Sequence, residues 1–355
     1  MKIAFYSHNI DFAGTWRTHE RKAEYIQNQD DFDVYVFYSP NVENNRLEES
    51  KKILTNCKFV PFERTLEKFE ASSGYNPISC NIRQIVNDLK IDIFHFARSG
   101  YFEWPFNVRM CPIQIETNIF GYRDNSSFLD GSIFITKRFD IAESNVTKLI
   151  HCPIPEPSAK FDSISSLRND LHIDQECLVL GRSGRPANFD PIALNAFAIF
   201  KKEFKSPVKY VIIGGCEQAK NEVLKLGLKD DVIFIDCTND DEYIERFHKT
   251  IDIFAHYRSD GETFGTAIGQ AMMYSIPVIT HYAGQNSQVD TVASGGFSVS
   301  SVNDYVRALL ILSDDSNRSA IGLKARDHAM THYAQNKIGS QVKKFYYNVA
   351  ASKRL

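Results

Sequence analysis

The 355-residue sequence predicts an α/β protein of two similar units, each a parallel sheet wound with helices, followed by a helical tail. Three observations carry this. Short β-branched and aromatic runs alternate with stretches of helical period on both sides of the midpoint. One proline-rich break, HCPIPEPSAKF at 151–161, interrupts the alternation. At about 150 residues per domain the length corresponds to roughly two domains.

The first unit has strand-like runs at 3–6, 34–38, 93–96, 113–117 and 132–135. Helical stretches lie at 16–28, 81–89 and 138–144. Pro153, Pro155 and Pro157 disfavour helix and central strand alike, and a mixed polar stretch follows to Glu176. The alternation restarts with strands at 179–182, 208–213, 232–235, 253–256 and 277–280. Helices are expected at 191–204, 217–226, 240–250 and 264–274. Asp190 before Pro191 supplies an acidic cap with proline at the first helical position. From Val302 onward the pattern is helical throughout. The expected division is a first unit at 1–155, a linker at 156–176, a second unit at 177–335 and a terminal helix at 336–355.

Composition narrows the class of function. Lys plus Arg number 41 against 44 Asp plus Glu, so no basic field large enough for duplex nucleic acid is expected. The cysteines at 57, 80, 111, 152, 177, 216 and 237 never form CxxC, which suits free thiols in a reduced compartment. MKIAFYSHN reads as a first strand rather than a signal peptide, and no apolar run approaches the roughly 18 residues of a span. A cytoplasmic setting is therefore expected, with peripheral membrane contact left open. His328 and His332 have zinc-compatible spacing but lack the Glu of HExxH and a nearby third ligand. Neither GRSGRP nor VIIGGC satisfies the dinucleotide fingerprint, which disfavours a nicotinamide oxidoreductase.

The stretch from Ile253 to Gln288 carries the chemistry, reading as strand, loop, helix and strand. Gly261 and Gly265 flank Glu262 at the expected helix start, where close backbone approach and free N–H groups favour an anion. Eight residues of helix would carry Gln270 about 12 Å beyond Glu262 on nearly the same face. That separation suits a ligand with hydroxyl-rich groups at both ends and a diphosphate between them. An ordinary acidic helix start with an exposed glutamine is equally compatible with the spacing.

GETFGTAIGQAMMYSIPVIT resembles the Glu-x7-Glu signature of GT-B-fold retaining glycosyltransferases of family 4, through Glu262, Phe264, Gly265, Ala271, Met272, Pro277 and Val278. The resemblance implies two Rossmann-like lobes with a central cleft, a nucleotide-diphosphate sugar as donor substrate, no required cofactor or metal, and a glycan or lipid-linked glycan as acceptor. It implies that Glu262 contacts hydroxyls of the donor sugar and that Phe264, Gly265 and Thr266 present backbone N–H groups to the donor. The family's second glutamate falls on Gln270, whose amide can still hydrogen-bond a diol. The Gly184–Arg185 pair resembles the family's G-R motif, which implies that Arg185 stabilises the departing diphosphate. The family lysine that follows is absent: Asn188, Phe189 and Asp190 occupy its region, and Arg258 is the candidate replacement.

Gly14 matches a glycine of the family's first loop, and Gly284 and Asn286 fall in the loop near the donor. The nucleotide base is expected by the loop at 237–239. For the acceptor, Arg98, Tyr101 and Trp104 follow a strand end and could form an aromatic and cationic platform, or belong to the core. Asn118 and Glu116 stand where the family often has histidine; either could contact sugar hydroxyls or close the loop. The mechanism implied is same-face substitution without a protein nucleophile. Two alternatives stay open, a sugar-nucleotide-binding protein with weakened catalysis and a nucleotide-sugar 2-epimerase.

Overall fold

The computed structural model describes residues 1–7, 14–38, 45–68, 75–98, 108–122, 127–238 and 240–353. The chain divides into two compact units, Met1–Pro153 with Gln335–Leu355, and Ile154–Ala334.

The first unit begins β1 (Lys2–Ser7), α1 (Gly14–Ile26), β2 (Asp33–Tyr38), α2 (Asn45–Ile53) and β3 (Lys58–Pro61). It continues through β4 (Arg64–Lys68), β5 (Tyr75–Cys80), α3 (Ile82–Asp88), β6 (Ile93–Arg98), β7 (Ile113–Asn118), β8 (Gly131–Phe134) and β9 (Thr147–Leu149). Seven strands form one parallel sheet in the order β3-β2-β1-β6-β7-β8-β9, while β4 and β5 make a separate antiparallel pair. The period of two explains the layers. Ile3 and Phe5 of β1 face one core cluster, and Ala4 and Tyr6 face the other.

The second unit contains β10 (Leu178–Ser183), α4 (Ile192–Glu203), β11 (Val208–Ile213), α5 (Glu217–Lys225), β12 (Val232–Ile235) and α6 (Asp241–His248). Then follow β13 (Ile253–Ala255), α7 (Thr266–Met273), β14 (Val278–His281), α8 (Ser287–Val292), β15 (Gly296–Val299), α9 (Val302–Leu312) and α10 (Asp315–His332). Its six parallel strands run β12-β11-β10-β13-β14-β15. The helix α4 starts one residue later than expected, with Pro191 as N-cap and Ile192 first; Asp190, just outside, still accepts from Ile192 N at 2.9 Å. The last helix, α11 (Gln335–Ser352), belongs to the first unit and packs on α1. Its Ile338, Val342, Phe345, Tyr346 and Val349 complete the cluster around Ile3 and Phe5.

Two expectations need correction. The helix expected at 138–144 is a single 3-10 turn, Lys137–Phe139, ended by Asp140 in the left-handed conformation. The stretch 156–176, expected as a linker between units, lies within the second unit and is strapped to α6 and the two residues after it. Ser158 donates from its backbone N and its hydroxyl to the Glu245 carboxylate, both at 2.6 Å. Lys249 Nζ donates to the carbonyls of Phe161 and Asp162, and Leu167 N donates to Thr250 Oγ1. Arg168 closes the strap on the carbonyls of Asp174 and Cys177 and on the Asp252 carboxylate. No helix among the described residues is long and apolar enough to cross a membrane.

One polar cluster is built into the α1–α11 layer of the first unit. Lys22 is fully buried and donates to Thr117 Oγ1 at 2.6 Å. His95 bridges Thr117 Oγ1 (2.9 Å) and the Tyr346 hydroxyl (2.7 Å). Lys22 forms no ion pair among the described residues, and burial lowers its pKa from 10.5 to about 8. The charged amine is thus disfavoured in the fold, by about 3 kcal/mol below pH 8 where both states are protonated. Lys22→Met is expected to raise the unfolding free energy at pH 7 by up to about 3 kcal/mol. Urea melts should show that advantage shrinking between pH 8 and pH 10 as the wild-type lysine loses its proton.

Candidate functional site

In the second sheet β10 and β13 are parallel neighbours, and the chain leaves β10 toward β11 and β13 toward β14, in opposite directions from their carboxyl ends. Such a switch point opens a crevice where open α/β sheets bind ligands. Arg182 stands at this end of β10, only 4% exposed, with its guanidinium 4.5 Å from the centre of the Tyr257 ring. Its terminal nitrogens reach the carbonyls of Arg185 and Gly214 only at 3.5 Å, and Nε has no hydrogen-bond partner among the described residues. The cation is desolvated and fixed by stacking, yet its donors remain poorly used. Gly214, at φ +77°, must be glycine here: a Cβ would lie 1.9 Å from the Gly184 carbonyl oxygen.

Glu262 lies in the loop after β13. The expectation that it opens a helix is corrected: Gly265, at φ +91°, caps α7, which starts at Thr266. The 12 Å same-face relation to Gln270 therefore does not hold, although Gln270 does lie on α7, half-buried. Glu262 Oε1 is 3.5 Å from His256 Nε2 and 3.6 Å from an Arg258 terminal nitrogen. No hydrogen bond to Oε2 forms among the described residues. Burial alone would raise the carboxyl pKa, but His256, Arg258 and Arg182 outweigh it and hold Glu262 below the ordinary carboxylate range. Burial also holds His256 below the ordinary imidazole range. With Thr280 Oγ1 2.9 Å from Nδ1, the neutral ring satisfies both contacts when its proton is on Nε2.

The Glu262 loop is clamped to the loop after β14. A Cβ on Gly261 (φ +67°) would lie 1.9 Å from the Ala283 carbonyl oxygen, and one on Gly284 (φ +52°) 1.7 Å from that of Asp260. Fully buried Gln288 uses its amide three times. Its Oε1 accepts from Glu262 N at 2.9 Å, and its Nε2 donates to the carbonyls of His281 and Ala283. Asn286 Oδ1 accepts from Ala283 N at 2.7 Å, and His281 Nε2 accepts from Arg258 N at 3.1 Å. Arg258 grips Asp260 through two nitrogens, at 2.6 and 3.1 Å, and Asn188 Nδ2 donates to the same carboxylate at 2.8 Å.

Glu262, Arg258, Phe264, Gly265, Thr266, Gly184, Gly284 and Asn286 thus fall in one region of the second unit, but not in one role. Gly284 and Asn286 build the turn that supports Glu262. Thr291 Oγ1 donates to the Phe264 carbonyl, while the Phe264 ring meets Tyr333 edge-on. Arg185 is exposed, two residues past the strand end, and is not among the charges acting on Glu262. In the first unit, Gly14 opens α1. The platform expectation is corrected at Arg98, which is buried and paired with Glu116, Nε to Oε2 at 2.7 Å. Asn118 closes a turn, accepting from Gly121 N and donating to the Tyr122 carbonyl. Tyr101 and Trp104 lie outside the described residues, as does Asn239 of the expected base loop. His328 Nε2 is 3.0 Å from the Tyr333 hydroxyl, and no cluster of three metal-ligating side chains occurs among the described residues. Sequence reasoning missed Arg182, His256 and Gln288. Arg182 sits in the other Gly-Arg pair, Gly181–Arg182, at the end of a buried strand.

Residues 172–328 match the family model described as glycosyl transferases group 1, which places that domain within the second unit. No curated protein matches the chain in sequence. Among solved structures, a glycosyltransferase from Rickettsia africae ESF-5 is 14% identical with a TM-score of 0.73, covering 98% of both chains. Anabaena Alr3699/HepE, in complex with UDP and glucose, is 15% identical with a TM-score of 0.70, over 98% of this chain and 99% of that one. Sucrose-phosphate synthase from Thermosynechococcus elongatus is 16% identical with a TM-score of 0.71, over 99% and 100%. The fold is GT-B.

Two predictions follow from the geometry. Gly261→Ala adds a Cβ against backbone at positive φ and is expected to cost roughly 1–3 kcal/mol of stability, read by urea melts. His19, His95, His248, His256 and His281 are all held below the ordinary imidazole range, chiefly by burial. Folded pKa values lie below unfolded ones, so the unfolded chain takes up more protons in acid. Stability is expected to fall as pH drops from about 6.5 toward 5. A flat pH dependence there would contradict the assignment of neutral buried rings.

Proposed function

We propose that the protein is a retaining glycosyltransferase of the family 4 type, moving a glycosyl group from a nucleotide-diphosphate sugar to a glycan or lipid-linked glycan. Donor binding falls to the second unit and acceptor binding to the first. No metal is required in this reading. The observation that carries it is the ionised Glu262 carboxylate, held at the switch point with Oε2 available and Arg182 and Arg258 beside it. A carboxylate can bind sugar hydroxyls, while planar guanidinium groups and the first N–H groups of α7 favour phosphate oxygens.

In this reading the bond between the anomeric carbon and the diphosphate oxygen breaks as the acceptor oxygen bonds the same face of that carbon. The acceptor hydroxyl proton passes to the departing diphosphate. Arg182 and Arg185 stabilise the growing charge on the leaving group, Glu262 orients the sugar, and Gln270 takes a ribose hydroxyl. Acting alone, Arg258 is a weaker phosphate ligand than the absent lysine, because Asp260 already holds two of its nitrogens. That same observation favours a second reading, a nucleotide-sugar-binding protein with weakened catalysis.

The HepE complexes with UDP and UDP-glucose make those two ligands the first probes. UDP-, GDP- and ADP-glucose should be screened by thermal shift, since a ligand of the native state raises the melting temperature. At least one is expected to stabilise the protein, and none doing so would contradict the reading. With a donor and acceptor in hand, Glu262→Ala and Arg185→Ala are each expected to lower turnover roughly a hundredfold. Both should melt within a few degrees of wild type. Binding without transfer across an acceptor panel would favour the second reading. Release of free nucleoside diphosphate and an altered sugar without acceptor would indicate epimerase chemistry.

A further inference from the structure

We propose that His256 is a positioning residue that keeps Glu262 available to a sugar by preventing its collapse onto Arg258. The proposal rests on reading Glu262 as the sugar ligand. His256 is the residue after β13 and is 3% exposed. Its backbone N donates to the Ile279 carbonyl of β14 at 2.9 Å, and its carbonyl accepts from the buried Tyr305 hydroxyl at 3.2 Å. On the ring, Thr280 Oγ1 of the same neighbouring strand lies 2.9 Å from Nδ1. The ring therefore cannot swing, and its far nitrogen is aimed at Glu262 Oε1, 3.5 Å away.

The alternative partner for Glu262 is as close. An Arg258 terminal nitrogen lies 3.6 Å from the same oxygen, and arginine–carboxylate pairs gain most when both oxygens are engaged. A carboxylate rotated onto Arg258 in that way would have its second oxygen occupied by the guanidinium and closed to ligand hydroxyls. Asp260, itself held by Asn188, restrains the arginine through two other nitrogens. His256 holds Oε1 with a neutral N–H, strong enough to orient the carboxylate and weak enough to leave its charge available. Thr280 fixes the ring, and Tyr305 fixes the backbone that carries it.

The test compares two polar substitutions that divide the imidazole's contacts. His256→Asn keeps a polar atom near the Nδ1 position for Thr280 but has no donor that reaches Glu262. His256→Gln places its amide near the Nε2 position and can donate to Oε1. Each is titrated calorimetrically with the nucleoside-diphosphate glucose that most stabilises wild type and with the matching nucleoside diphosphate. The quantity read is the affinity gained from the sugar. Both variants should bind the diphosphate within about twofold of wild type. His256→Asn is expected to lose about tenfold of the sugar-dependent affinity, and His256→Gln to retain most of it. An Asn variant with the full sugar-dependent gain, or a Gln variant as impaired as Asn, overturns the proposal. If wild type itself gains nothing from the sugar, the reading of Glu262 fails and the proposal falls with it, whereas a sugar-dependent gain in wild type that the Asn variant keeps or the Gln variant loses overturns the positioning role alone.

Discussion

The site depends on a close backbone approach between two loops. The residues after β13 and those after β14 lie so near each other that Gly261 and Gly284 cannot carry a Cβ. Gln288, buried beneath them, accepts from the peptide N–H of Glu262 and donates to two carbonyls across the gap. A buried amide with its donors and acceptor all satisfied is rigid, since releasing any one contact leaves an unpaired polar group. That rigidity passes directly to Glu262, whose own backbone is part of the clamp.

Electrostatics then act on a carboxylate whose position is already fixed. Burial favours the neutral acid, while two arginines and a neutral histidine favour the anion, and the anion wins. The arginines are restrained differently. Arg182 is stacked on Tyr257 with little hydrogen bonding, whereas Arg258 is largely engaged by Asp260. Of the two, Arg182 has more donor capacity for a phosphate.

Much of the fold was legible because its strands are buried on both faces. Within the strands expected at 208–213 and 253–256, Tyr210–Ile213 and Ile253–Ala255 are continuous apolar segments that the structure buries completely. β3 escaped notice because KFVP is short, partly exposed and at a sheet edge, so burial never imposed a pattern on it. The strap at 156–176 was illegible for a related reason. Its attachment runs through side chains of α6 and of Lys249 and Thr250 just after it, some 80 residues away, and polar residues that bond so distant a segment look like any polar linker. At the site, Glu262 and the glycines around it stood out by spacing. Arg182 did not, because two Gly-Arg pairs lie three residues apart and only burial separates them. Gln288 did not stand out either, since nothing local marks a glutamine whose three partners are backbone groups.

The most direct test of the central claim is a crystal structure of the protein soaked with the nucleotide sugar it binds best. The diphosphate should lie against Arg182 and the first turn of α7, with sugar hydroxyls within hydrogen-bonding distance of Glu262 Oε2. A nucleotide sugar bound elsewhere, or one whose sugar points away from Glu262 while the Gly261–Gly284 clamp is intact, would contradict it.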